Sequence, residues 1–148
     1  MNRDIALLVL RMTGVGLALV HGWGKVAALS VGGGSRIIED VASLGFPAPA
    51  VFAWAAALSE FVGGLCMGLG LATRVAAVFA GFTMLVAALA RHHAHLHFLA
   101  WLGVVSISED TLKAWGRPEL ALVYLAAFVA IALLGPGRLA LDTFIGRK

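Results

Sequence analysis

The chain has 148 residues, 61% of them hydrophobic and 13% charged, whereas soluble domains carry roughly 25% charged residues. That balance excludes a water-soluble globule and places the chain in lipid. The formal net charge of +3 comes from bases scattered beside apolar blocks, an ordinary membrane-anchor pattern that excludes a nucleic-acid interface.

About 20 apolar residues cross a hydrocarbon core of about 30 Å, and the sequence supplies four such blocks, at residues 5–28, 49–70, 74–91 and 119–134. They predict an all-α fold: one transmembrane four-helix bundle over residues 1–148, with short interfacial helices in the first and third connections. A cleaved signal peptide is the rival reading of the first block. Arg11 interrupts its apolar core, however, and His21, Trp23 and Lys25 stand where small residues belong, so it reads as a retained span. A charge at mid-span costs about 2.5–3.5 kcal/mol on insertion scales, so Arg11 is kept for pairing or function. At about 100° per residue, Arg11, Gly14, Ala18, Gly22 and Lys25 share one helix face, with His21 roughly 80° around from Arg11. The small residues on that face let another backbone approach closely, so the stripe faces protein.

The Gly32-Gly33-Gly34 run lacks the Lys-Ser/Thr of a phosphate loop and reads as a linker. Ile37, Ile38, Val41 and Leu44 then recur at helical spacing before Gly45 and Pro47, predicting a short helix on the membrane surface. In the second block Glu60 lies on the side of Gly63, Gly64 and Met67, and Gly64 with Gly68 makes a GxxxG packing pattern. At 1.5 Å per residue, Arg11 enters about 9 Å from the terminal side and Glu60 stops about 13 Å short of it. The expectation is a buried Arg11–Glu60 ion pair, whose one-sided loss costs about 3–5 kcal/mol. Such a pair either fixes helix register alone or also handles protons. Cys66 is the only cysteine, so no internal dithiol–disulfide cycle is available to this chain.

After the third block come His92, His93, His95 and His97. On a helix His93 and His97 are four apart, a spacing that can chelate a transition metal. No Cys or carboxylate completes the set, and the plainer reading is a polar interfacial helix end. Haem would need two imidazoles fixed on opposite faces, which nothing here arranges. Phe98–Ile107 is apolar but too short to span and reads as interfacial or re-entrant, with Trp101 and Trp115 at headgroup depth. The fourth block opens at Glu119, at the same end as His21 and Lys25. These three outline a polar pocket able to hydrogen-bond a quinone head group or small anion; the alternative is a snorkelling Lys and a capping Glu. An even number of crossings puts both termini on one side. Arg3, Arg11, Arg74, Arg138, Arg147 and Lys148 against Lys25, Arg36, Arg91, Lys113 and Arg117 tips that side slightly toward the cytoplasm.

Taken in order, Arg11 and Gly14; His21-Gly22-x-x-Lys25; Leu44-Gly45-x-Pro47; Glu60-x-x-Gly63-Gly64; Gly68-x-Gly70-x-x-Thr73-Arg74; Glu119; and Gly135-Pro136-Gly137-Arg138-x-x-x-Leu141-Asp142 resemble the DoxX family over nearly the whole chain. The resemblance implies a multi-pass bacterial inner-membrane protein with cytoplasmic termini and an association with quinone-linked redox complexes that oxidise sulfur compounds such as thiosulfate. It marks Arg11, His21, Lys25, Glu60, Glu119 and Asp142 as the polar positions of the family pattern; relatives often carry Ser at the position of Ala140, and the His-rich loop departs from the pattern.

Three functions are compatible with this reading. The first is a non-catalytic membrane subunit that docks a soluble or membrane redox partner beside a quinone, with no covalently bound cofactor. The second is a small transporter or channel along the Arg11, Glu60 and His21 stripe, and the third an assembly scaffold. The glycine stripes also allow a homo-oligomer.

Overall fold

The computed structural model describes residues 2–146, so Arg147 and Lys148 of the charge count lie outside the described residues. Every regular element among the described residues is helical. Helix α1 runs Asn2–Ser30, α2 Ser35–Ser43, α3 Pro49–Leu69, α4 Thr73–Arg91, α5 Ala94–Trp101, α6 Glu109–Trp115, α7 Glu119–Leu134 and α8 Leu141–Phe144. α1, α3 and α4 are each long and apolar enough to cross a membrane. α7 falls short by itself, at 16 residues or about 24 Å. It reaches spanning length only together with α6, across a bend of 46°. Three helices are thus of spanning length, and the fourth crossing expected from the sequence would require the bent α6–α7 pair to cross as one.

The boundaries follow from local chemistry. Pro49 occupies the first turn of α3, where its missing N–H costs nothing. Gly70 closes α3 in the left-handed conformation, φ +74°, with Leu71 N–H returning to the Cys66 carbonyl at 2.8 Å, as glycine C-caps do. Gly45 ends α2 at φ +80°, and the Ser108 hydroxyl caps α6 by accepting from Thr111 N–H.

α1 packs on α3, α3 on α4, and α4 on α7; α7 reaches back to α1 over the Asn2–Leu17 half. The core where they meet contains Leu17, Met67, Ala77, Ala80, Phe128 and Ile131. Small residues along α4 bring it close to α7: Ala76, Ala77, Ala80, Gly81 and Met84 are all buried. Outside, Val9, Phe79, Phe82, Val123 and Leu133 are each 60% or more exposed, the inverted surface of a protein solvated by acyl chains. α2 lies against α3, with Ile37, Ile38, Val41 and Leu44 half-buried and Arg36, Glu39 and Asp40 exposed. In the third connection Phe98–Ile107 is not one element: α5 ends at Trp101 and the chain continues without regular structure to Ser108.

Candidate functional site

Two polar layers interrupt the apolar interior, and they do not consist of the expected partners. The Arg11–Glu60 pair does not form. Glu60 instead receives Lys25, whose Nζ donates to both carboxylate oxygens at 2.6 and 2.7 Å. The cause is the register of α1 against α3. Gly64 backs directly onto Gly14 and Ala18, and Gly22 onto Glu60 and Phe61. Arg11 therefore lies level with Gly70, ten residues and about 15 Å along α3 from Glu60. An ion pair across that gap is beyond side-chain reach.

On the terminal side Arg11 is 1% exposed and donates through Nη2 to the Leu139 carbonyl at 2.7 Å. Its Nε and Nη1 are buried without a hydrogen-bond partner among the described residues, and the buried Asp142 carboxylate lies nearby. Asp142 also closes the start of α4: Oδ1 accepts Ala72 N–H at 2.7 Å, and Oδ2 accepts Thr73 N–H at 2.8 Å and the Thr73 hydroxyl at 2.7 Å. Its own N–H donates to the Gly70 carbonyl at 2.8 Å. A carboxylate here satisfies helix N–H groups that have no partner of their own and meets the positive end of the helix dipole. Only glycine fits at position 70, because a Cβ there would overlap the Arg11 guanidinium and Ala140. Arg74 adds a second clasp, donating to the Ala132 carbonyl at the end of α7 at 2.7 Å, and Asp4 accepts from Arg138 N–H. The Gly68–Arg74 and Gly135–Asp142 motifs are therefore two halves of one clamp across the ends of the bundle.

The other layer lies in the half of the bundle away from the termini. There α1 contains a π turn, Ala18–Gly22, with Trp23 N–H bonding five residues back to the Ala18 carbonyl; such insertions re-aim side chains and recur at functional sites. Gly22 makes the approach to α3 possible, since a Cβ there would stand 2.6 Å from Phe61 N. The Glu60 side chain is 2% exposed, whereas that of Lys25 is 36% exposed. Beyond the π turn α1 has α2 and α3 as its principal neighbours, so the edge facing α7 is an open seam. His21 stands on that seam with its ring edge-on to Tyr124, centroids 6.3 Å apart. The Tyr124 hydroxyl lies over Gly16. Neither the His21 ring nor the Tyr124 hydroxyl makes a hydrogen bond among the described residues.

Glu119 does not join this group; it is exposed on the first turn of α7. Tyr124 takes its place, and the sequence held a signal for it, as the only tyrosine of the chain and the one polar side chain of α7 beyond its first turn. Gly64 and Gly68 face α1, while Gly63 faces α4 through Ala76 and Ala80, so the glycines of α3 serve two interfaces. His93 and His97 remain four apart, with His97 N–H donating to the His93 carbonyl at 3.1 Å. His93 precedes α5 in the left-handed conformation, φ +49°, and both imidazoles pack on the Trp115 ring, at 4.4 and 6.0 Å. No group of three metal-ligating side chains assembles among the described residues.

A bundle of apolar helices with buried charges and a lipid-facing exterior defines a small integral membrane protein. Within that class the chain belongs to the DoxX family, whose model matches residues 6–93. It is similar to inner membrane protein YqjF of Escherichia coli (strain K12), at 30% identity over 98% of this chain and 95% of the relative. It is also similar to inner membrane protein YphA of the same organism, at 28% identity over 95% and 90%. No solved structure matches.

Proposed function

We propose that the protein is an inner-membrane subunit of a quinone-linked redox assembly, binding a quinone head group at the seam between α1 and α7 and docking the partner that exchanges electrons with it. Two observations carry this reading: a partly exposed Lys25 held by a buried Glu60, and, four residues earlier on α1, the His21 imidazole edge-on to the Tyr124 phenol, neither of them hydrogen-bonded among the described residues. A quinone offers two carbonyl acceptors on a flat apolar ring. Lys25 and the Tyr124 hydroxyl donate to the carbonyls, His21 relays a proton, and Glu60 holds the Lys25 side chain in place. The opening toward lipid lets an isoprenoid tail remain in the bilayer, as apolar ligand sites with a few convergent polar groups do.

The chain itself supplies no redox centre in this reading, so the partner provides the electrons. A sulfur-compound oxidising partner is the form suggested by the family resemblance. Inner-membrane placement follows the relatives, and the slight excess of bases favours cytoplasmic termini. A transport path is disfavoured by the packing between the layers, where Leu17, Ala18 and Met67 are each 1% exposed or less.

A photoreactive quinone analogue added to the protein in lipid nanodiscs tests the reading. Labelling should fall on 18–25 and on Tyr124 and be displaced by unmodified quinone. Labelling confined to lipid-facing residues such as Phe79 and Phe82, or undiminished by competitor, would overturn it.

A further inference from the structure

A second polar feature lies outside the seam, at the headgroup level of the same membrane face. α2, the end of α4 and the start of α5 enclose a cleft of about 500 Å³ whose walls include Asp40, Ser43, Arg91, His93 and Trp115. Its walls carry opposite charges that do not neutralise one another. Among the described residues neither the Asp40 carboxylate nor the Arg91 guanidinium enters an ion pair or a side-chain hydrogen bond. The aromatic wall is fixed in advance: the His93 ring lies tilted against Trp115 at 4.4 Å, and the His92 ring bonds the Trp115 carbonyl at 2.7 Å. His93 itself has a left-handed backbone, uncommon outside glycine.

We infer that this cleft binds a zwitterionic phosphoethanolamine group, presented by a phospholipid or by a soluble glycerophosphodiester. Arg91 matches a phosphate in fork geometry, with His93 as an additional donor. Asp40 and Ser43 accept from a primary ammonium, and the Trp115 ring supplies an aromatic wall beside it. A headgroup bearing only negative charge would gain Arg91 but meet Asp40 as a like charge, so the site discriminates by repulsion as well as attraction. Position supports the lipid-borne form. Arg91 ends a membrane-crossing helix, and interfacial Trp and Arg mark headgroup depth. Leu44 and Ala90 line the apolar side.

The test uses the full chain in detergent, with native mass spectrometry of short-chain phosphatidylethanolamine against phosphatidylglycerol of the same chain length. Retention of the ethanolamine lipid should exceed that of the glycerol lipid by about tenfold, the size of a single lost charge-assisted contact. Arg91→Gln should reduce it by a similar factor, and Asp40→Asn should abolish the preference. Both side chains are exposed, and circular dichroism checks that the variants fold. Displacement by glycerophosphoethanolamine would extend the assignment to the soluble source; its failure to displace a selectively retained lipid would assign the lipid alone. Equal retention of the two lipids by the wild type, which needs no variant to interpret, would overturn the inference, as would a preference unchanged in both variants. Loss of quinone labelling leaves this result unaffected, because the cleft shares no residue with the seam.

Discussion

The two polar layers use the same residue classes to opposite ends. At the terminal end Arg11 and Asp142 are 1% and 4% exposed, and Asp142 is saturated by a backbone carbonyl, two backbone N–H groups and a hydroxyl. In the far half Lys25 and Glu60 meet at comparable distance, but Lys25 stays partly exposed, and the nearby His21–Tyr124 ring pair makes no hydrogen bond among the described residues. A buried carboxylate such as Asp142, which accepts from α4 and lies beside Arg11 inside the bundle, holds helices together. One that leaves polar tips at an opening toward lipid is arranged for something that arrives. Buried charge alone does not separate the two cases; whether the pair is sealed inside the bundle, as Arg11 and Asp142 are, or has one member reaching the surface, as Lys25 does, separates them.

Breaking the terminal clamp should give the largest effect. Asp142→Ala strands the Arg11 guanidinium and uncaps α4, a loss of about 3–5 kcal/mol, seen as a collapse of the detergent melting temperature and of membrane yield. A variant melting like the wild type would remove the clamp from the account. Next comes Gly22→Val, which forces α1 away from Phe61 and should lower stability by about 1–3 kcal/mol, with loss of quinone labelling as His21 and Lys25 move with the displaced helix. Lys25→Met leaves Glu60 buried without its cation, and the expected loss is on the order of 1–3 kcal/mol. Adding Glu60→Gln should restore most of that stability, because a neutral pair no longer strands a charge. The smallest change is Tyr124→Phe. It should alter stability by no more than about 0.5 kcal/mol yet weaken quinone labelling severalfold, sharpening the contrast between a layer that folds the chain and one that does not.

Much of the architecture was legible from residue spacing. The apolar blocks, the amphipathic helix at 35–43, and the Gly14–Ala18–Gly22 stripe against Gly64 follow from 3.6-residue periodicity and side-chain size. Pairing was not legible. Depth counted inward from each helix end places Arg11 and Glu60 near one another, but register is set by which glycines interlock, and a slide of three turns changes every partner. Lys25 was assigned to the rim because its own position is near a helix end, whereas its long side chain folds inward to Glu60. Asp142 stood out only as a position of the family pattern. Its task depends on a turn at Gly70–Ala72 that lies 70 residues away in sequence, and no local pattern encodes such a contact. Tyr124 was overlooked because an apolar helix with one phenol reads as an aromatic belt.

The central claim is that Lys25 and Glu60 are kept for a ligand and not for folding. Quinone content of the Lys25→Met/Glu60→Gln double variant, extracted gently and quantified beside the wild type, addresses it most directly. The account predicts a variant that melts close to the wild type and carries no quinone while the wild type carries it. Quinone held equally by both proteins would contradict it.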